Sequence, residues 1–169
     1  MALAGFSEVE RLTEEHDLSR FDCGKLSLDD WLRRFALIND RNDSARTYVV
    51  HRHRVVLGYY SLDAGSVVRE EATARVAKGL ARQPIPVAVL ARLAVDLTVK
   101  GSGLGAALLK DALLRVHGAA DVIGIRAILV HAIDPQARSF YRHFEFEPFP
   151  TDDLRLLLLM KDLRENLRK

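Results

Sequence analysis

The stretch Val87-Ala88-Val89-Leu90-Ala91-Arg92-Leu93-Ala94-Val95-Asp96-Leu97-Thr98-Val99-Lys100-Gly101-Ser102-Gly103-Leu104-Gly105-Ala106 decides the fold. It opens as an apolar, β-branched run, the pattern of a buried strand. It then meets glycine at three alternate positions, Gly101, Gly103 and Gly105. Beyond them Leu104, Leu108, Leu109, Ala112, Leu113 and Val116 recur at helical spacing. Strand, glycine loop and helix in that order aim successive backbone N–H groups and the positive end of a helix dipole at one point. Such a point attracts anions. The stretch reads as a phosphate cradle.

Gly101 to Ala106 also satisfies G-x-G-x-x-A, the dinucleotide fingerprint. That motif needs an acidic residue ending the next strand, about twenty residues on. Asp121 is nearest, and Gly118-Ala119-Ala120-Asp121 reads as a helix end. The P-loop pattern fails, because Lys100 precedes the glycines and no Gly-Lys-Ser/Thr follows. A bare helix-start turn is the remaining alternative, but alternate glycines weaken a helix start with nothing gained in return.

At 169 residues the chain is expected to form a single domain, residues 1–169, with a sizeable core. A hydrophobic content of 49% and a charged content of 28% are ordinary for a soluble globular protein. No apolar run has the length of a membrane span, and Met1-Ala2-Leu3-Ala4-Gly5-Phe6 lacks a basic signal-peptide start. Cys23 is the single cysteine, so no disulfide framework or thiolate metal site is expected and the cytoplasm is the default compartment. The net charge of +2 hides an uneven distribution. Arg33, Arg34, Arg41, Arg46, Arg52 and Arg54 stand against only Asp40 and Asp43 in the same stretch. Such a patch suits phosphate-rich cofactors or RNA, and equally a solvated arginine-rich face.

Along the chain, Phe6 to Leu12 reads as a first strand. Ser27 with Asp29 and Asp30 marks a helix start. Leu28, Trp31, Leu32, Phe35 and Ile38 then define one buried helical face, with Trp31 as core and Arg33 and Arg34 pointing away. Thr47–Val50 and Val55–Leu62 predict a hairpin, Glu70–Arg82 a short exposed helix, and Arg126–Ala132 a buried strand reached by a right-handed crossover. Asp134-Pro135 opens a further helix. Phe146–Phe149 and Leu154–Met160 close the sheet, and residues 161–169 read as a solvated tail. The class expected is α+β: a mixed, mostly antiparallel sheet of six to seven strands flanked by helices.

Lys100-Gly101-Ser102-Gly103-Leu104-Gly105 resembles the pyrophosphate loop of the GNAT family of N-acetyltransferases, consensus Gln/Arg-x-x-Gly-x-Gly/Ala, with Lys in the first place. The family's Asn-x-x-Ala-x-x-x-Tyr ahead of Gly-Phe is matched by Asp134, Ala137, Tyr141 and Phe146, with Glu145 in place of the glycine. That glycine often serves a left-handed helix end, so Glu145 implies another turn geometry or modest strain. Phe21-Asp22-Cys23-Gly24 with Leu28, Trp31 and Leu32, then Gly58-Tyr59-Tyr60-Ser61-Leu62, Pro84-Ile85-Pro86-Val87 and Leu90 to Asp96 narrow the likeness. From about Phe21 to Asp162 the sequence resembles the acetyltransferase toxins of bacterial toxin–antitoxin pairs, the TacT, AtaT and KacT type.

The resemblance implies transfer of acetyl from acetyl-CoA to the α-amine of an aminoacyl-tRNA, which stalls translation. It implies as partners charged tRNA, a cognate ribbon–helix–helix antitoxin that represses the operon with the toxin, and a second copy in a homodimer. It implies that Leu93, Ala94 and Val95 offer backbone groups to the pantetheine arm, and that a main-chain N–H there polarises the thioester. Lys100, Gly101, Ser102, Gly103, Leu104, Gly105 and Ala106 would hold the pyrophosphate, with Asp134 and Ala137 also at the coenzyme. Tyr141 is the implied proton donor: a thiol titrates near about 8.5 and tyrosine near about 10, so the phenol keeps its proton at neutral pH. Its position beside Phe140 and Phe144 equally suits a core aromatic.

Many family members carry a basic glutamate on the central strand. Val87 to Thr98 has none, and Asp96 is its one acid. An α-amine titrates near about 8 against about 10.4 for lysine, so it needs less help and is the favoured acceptor. Arg33, Arg34, Arg46 and Arg92 are the candidates for tRNA phosphates, with the coenzyme's 3′-phosphate and the antitoxin as rival uses. His131 reads as a hydrogen-bonded core residue, and no His/Asp/Glu cluster has metal-ligand spacing. The alternatives are an acetyltransferase for a small amine or protein N-terminus, and a non-catalytic coenzyme-binding module.

Overall fold

Two β-branched runs separated by His53-Arg54 fold back on each other as a hairpin, Arg46–Arg52 and Val55–Val67, with Arg52 opposite Val55. Both turn residues take left-handed φ, 51° and 73°, as a two-residue I′ turn requires. The computed structural model describes residues 5–81 and 83–169. Their order is β1 (Glu10–Arg11), α1 (Leu26–Arg34), α2 (Ala36–Arg41), β2 (Arg46–Arg52), β3 (Val55–Val67), α3 (Ala74–Ala77), β4 (Ile85–Val95), α4 (Leu104–Ala119), β5 (Ala127–His131), α5 (Pro135–His143), β6 (Glu147–Pro148), β7 (Arg155–Leu159) and α6 (Met160–Leu167). The seven-stranded sheet runs β1-β2-β3-β4-β5-β7-β6. Its β1–β2, β2–β3, β5–β7 and β6–β7 pairs are antiparallel and β4–β5 is parallel. This is the mixed, mostly antiparallel architecture expected.

The chain divides into two compact units, one running to Asp63 and resuming over Arg92–Ala112, the other Ala64–Ala91 with Leu113–Lys169. In the first, Phe21, Trp31, Leu32, Val49, Val56 and Tyr59 form the core. Tyr59 is wedged edge-on against Phe21 at 5.5 Å and stacked on Trp31 at 6.2 Å, and its hydroxyl donates to Leu28 O at 2.7 Å. Each such fully buried apolar side chain contributes about 1.5–3 kcal/mol. Helix α4 sits close on β3 because position 58 is glycine. A Cβ there would lie 2.9 Å from Leu108 Cδ1 and 3.0 Å from Leu104 Cδ2. In the second unit Val67, Ile85, Val87, Ala127, Leu157 and Leu159 close a core of their own.

Helix α1 departs from the expected start. Lys25, not Ser27, is its N-cap, and the Asp29 carboxylate reaches back to the Cys23 N–H at 2.9 Å. The expected single helix breaks at Phe35 (φ −122°), which rotates the buried stripe. Phe35 and Ile38 are 44% and 54% exposed, and Ala36 is buried in their stead. The first strand shortens to Glu10–Arg11. The helix expected at 70–82 contracts to Ala74–Ala77, capped by Thr73 Oγ1, which accepts the Val76 N–H. Arg82, like residues 1–4, lies outside the described residues. The expected tail is helix α6, which buries Met160 and Leu163. His131 is exposed, at the end of β5.

Candidate active site

Strand β4 ends at Val95, and Asp96 caps a 3₁₀ turn over Leu97–Val99. Its Oδ1 accepts the Thr98 N–H at 2.9 Å and the Thr98 hydroxyl at 2.6 Å, and its Oδ2 accepts the Asp22 N–H at 3.0 Å. Burial pushes this carboxyl up, but the three hydrogen bonds outweigh it and hold the group below its ordinary value. Asp96 is therefore a buried ionised brace for the loop, not a base.

Gly101 and Gly103 take φ of +80° and +86°, a region that disfavours any side chain, while Gly105 lies inside α4. A Cβ at Gly101 or Gly103 would meet nothing within 4 Å. These two glycines face open space, and their presence follows from backbone conformation rather than packing. The N–H groups of the first turn, Leu104, Gly105 and Ala106, have no partner inside the helix by its own geometry, and Ser102 Oγ accepts the Leu104 N–H at 3.4 Å. Lys100, exposed beside them, adds positive charge. A cradle of this kind fits a diphosphate.

The parallel ladder to β5 covers Val87 to Leu90, yet β4 continues to Val95. Leu93, Ala94 and Val95 thus lie past the end of that ladder. In α5, the Asp134 Oδ1 accepts the Ala137 N–H at 2.8 Å with Pro135 in the first turn, the cap expected from the sequence. Tyr141 is buried, edge-on to Phe140 at 5.3 Å and to Phe146 at 5.6 Å. Burial pushes its phenol well above the ordinary value. The helix closes with the Phe146 N–H on Tyr141 O at 3.2 Å and with Glu145 at φ 72°. Glu145 keeps the left-handed turn that a glycine would make, so the alternative of a different turn geometry is set aside.

The arginine excess is largely answered by acids. Arg41 pairs with Glu14, Arg46 with Asp43, and Arg54 with Glu15. Among the tRNA candidates, Arg33 donates to Phe21 O at 2.7 Å, Arg46 donates to Asp40 O and Asp43 at 2.8 Å, and Arg34 lies 5.5 Å from the Phe35 ring centre. The Arg92 guanidinium lies 3.9 Å from the ring centre of Trp31, so Trp31 is both core and a stacking platform.

One cluster was invisible to sequence spacing: Glu10, His16 and His51 bring ligand atoms within 4.8 Å of one another. The hydrogen-bond partners assign its tautomers. His16 Nδ1 accepts the Thr13 N–H and His51 Nδ1 accepts the Arg54 N–H, so each Nε2–H donates to Glu10 Oε1, at 2.8 and 2.7 Å. A metal on Nε2 needs the proton on Nδ1, where backbone donors stand. The cluster fits a hydrogen-bonded brace and not a metal site.

No protein-family model matches the chain. It is 48% identical over 162 residues to a tRNA-acetylating toxin of Mycobacterium tuberculosis, covering 96% of this chain and 97% of that protein. It is 28% identical to a probable toxin TacT of Sinorhizobium fredii, over 88% of both. Among solved structures, AtaT complexed with acetyl-methionyl-tRNAfMet superposes with a TM-score of 0.88 at 30% identity, covering 96% of this chain and 99% of that one. AtaT has also been solved with its antitoxin AtaR and acetyl-CoA, and with AtaR on DNA. The fold is that of the GNAT acetyltransferases. Within that fold the chain belongs to the tRNA-acetylating toxins.

Proposed function

We propose that residues 1–169 act as one acetyltransferase domain that moves the acetyl group of acetyl-CoA to the α-amine of an aminoacyl-tRNA and so halts translation. The observation that carries the coenzyme half is the cradle at the head of α4, where left-handed Gly101 and Gly103 face open space. The acceptor half rests on the family: the relative from M. tuberculosis is a tRNA-acetylating toxin, and AtaT is complexed with an acetylated aminoacyl-tRNA.

In this reading Lys100 to Ala106 hold the diphosphate, and Leu93 to Val95 pair with the pantetheine arm as an added strand would. The Val95 N–H polarises the thioester carbonyl. The amine nitrogen attacks the carbonyl carbon, the C–N bond forms and the C–S bond breaks. The leaving thiolate takes a proton from Tyr141, and the phenolate regains one from the amide nitrogen, which sheds its extra proton. Burial favours this relay, because it keeps the phenol neutral and makes a lasting phenolate costly. A mutant of AtaT with one tyrosine changed to phenylalanine, solved with acetyl-CoA, is in keeping with such a role. Asp134 and Ala137 shape the same end of α5.

Arg33, Arg34 and Arg46 supply the phosphate contacts to tRNA. The cytoplasm, where charged tRNA is found, is the compartment, a ribbon–helix–helix antitoxin the partner, and a homodimer the working form. AtaT bound to AtaR, and that pair on DNA, support the partner. No helix of the described residues is long and apolar enough to cross a membrane.

The test is incubation with labelled acetyl-CoA and total charged tRNA. Label on the aminoacyl end of particular tRNAs is the expected result. Label on free amines or protein N-termini without regard to tRNA, or coenzyme binding without transfer, overturns it.

A further inference from the structure

On β3, Tyr59, Ser61 and Asp63 share one face by strand alternation, and Val49 and Thr47 of β2 stand opposite Tyr59 and Ser61. Trp31 stacks on Tyr59, and Arg92 stacks on Trp31. Asp63 and Arg92 are each half-buried and each feels the other's charge. Among the described residues no hydrogen bond or ion pair closes between them. Thr47 and Ser61 are fully buried, and neither hydroxyl oxygen has a hydrogen-bond partner among the described residues. Buried polar atoms seldom stay unsatisfied. One face thus carries a carboxyl, a guanidinium and two unsatisfied hydroxyls.

We propose that Asp63 and Arg92 grip the aminoacyl group itself, Asp63 taking the α-ammonium and Arg92 donating to the ester carbonyl oxygen. An α-amino ester presents a cation and a carbonyl oxygen three bonds apart, and a carboxylate beside a guanidinium complements both. The assignment rests on the acyl-acceptor reading above and sharpens it. It makes Arg92 a substrate-orienting residue rather than a phosphate contact. Stacked on an indole and half-buried, its guanidinium is fixed in place, which suits one desolvated contact better than a mobile phosphate rail. Asp63 also receives the proton that the ammonium must lose before nitrogen can attack. It thereby fills the role left open by the absence of a glutamate on β4.

Asp63→Asn, Arg92→Ala and Arg46→Ala would be compared with the wild-type chain on charged tRNA, across a salt series, with calorimetric acetyl-CoA binding measured on each. For Asp63→Asn a rise in KM of at least tenfold is expected, with acetyl-CoA affinity unchanged. Arg92→Ala should lower kcat/KM while leaving the salt slope as it is, whereas Arg46→Ala should reduce that slope by about one. A salt slope reduced by about one in Arg92→Ala, or wild-type kcat/KM in Asp63→Asn, overturns the assignment and leaves the acetyltransferase reading standing. A wild-type chain inert toward every charged tRNA overturns both. Should Asn at 63 unfold the chain, wild type alone decides. An acyl-tRNA with hydroxyl in place of the α-ammonium should bind at least tenfold more weakly than the aminoacyl form, and equal affinity overturns the proposal.

Discussion

The carboxylate of Asp96 accepts the backbone N–H of Asp22 at 3.0 Å, across 74 residues, and the carbonyl of Asp22 accepts the N–H of Leu97 at 2.8 Å. The Phe21-Asp22-Cys23-Gly24 turn is thereby tied to the entrance of the glycine loop. Asp96→Ala removes the cap and leaves the Asp22 and Thr98 donors without their acceptor. A stability loss of about 1–3 kcal/mol by thermal circular dichroism is expected, together with weaker acetyl-CoA binding by calorimetry. Unchanged coenzyme affinity in a destabilised variant would detach this brace from the site.

Alanine at Gly103 meets no steric obstacle but must adopt φ +86°. The conformational cost is about 1–2 kcal/mol, and the added methyl projects into the open space of the cradle. Gly103→Ala is therefore expected to lose more in acetyl-CoA affinity than the stability change accounts for. Equal losses would mean that the loop does not touch the coenzyme.

Tyr141→Phe deletes one hydroxyl and keeps the ring contacts with Phe140 and Phe146. Turnover should fall by about 10²–10⁴, with melting temperature and acetyl-CoA affinity close to wild type. Retention of full turnover would make Tyr141 a core aromatic and nothing more.

The sequence made the centre of the fold legible because its signals there are local. The run Val87 to Val95, the glycines and the leucines behind them each obey one period, and β4, the loop and α4 followed. Asp134 with Pro135 was equally plain. What stayed hidden depends on contacts distant in sequence. The Asp29 carboxylate takes the Cys23 N–H and the N-cap falls at Lys25 with no side-chain cap bond, so Ser27 lost a role that its identity fits. Phe35 interrupts a helix whose apolar spacing continues unbroken. The arginine patch looked unopposed because Glu14 and Glu15 lie well before Arg41 and Arg54 in the chain. Asp63 directly follows the Gly58–Leu62 stretch, which marks the family likeness but carries no chemistry of its own, so nothing local singles the acid out.

Glu145 holds a left-handed φ of 72°, and its carboxylate accepts from Asn166 Nδ2 at 2.6 Å. Glycine relieves the backbone and loses that exposed hydrogen bond. The conformational gain of about 1 kcal/mol is the larger effect, so Glu145→Gly should raise the melting temperature slightly. Asn166→Ala, measured beside it, should change little. A lower melting temperature for Glu145→Gly would show that the side-chain bond outweighs the strain.

Acid should unfold the chain through carboxylates that the fold keeps ionised. Glu10 is held low first by its hydrogen bond from His16, and Asp40 first by that from Arg11. A folded value below the unfolded one gives stability that is present above the unfolded value and is lost as pH falls through the folded one. Asp63, pushed up by burial, acts with the opposite sign. Glu10, Asp17, Asp40 and Asp96, all held low, against Asp63 raised predict a net fall in stability below about pH 4.5. Arg11→Ala should flatten that fall in melting curves recorded against pH. An unaltered acid limb in Arg11→Ala would remove Asp40 from the account.

Trp31 is the only tryptophan in the chain, and the Arg92 guanidinium covers one of its faces at 3.9 Å. The contact makes the guanidinium part of the indole's immediate surroundings, so the protein's intrinsic fluorescence is a built-in reporter of what happens on that face. Any guest that engages that guanidinium changes the surroundings of the single indole and announces itself without a label, and one that binds only at the glycine loop leaves the emission as it was.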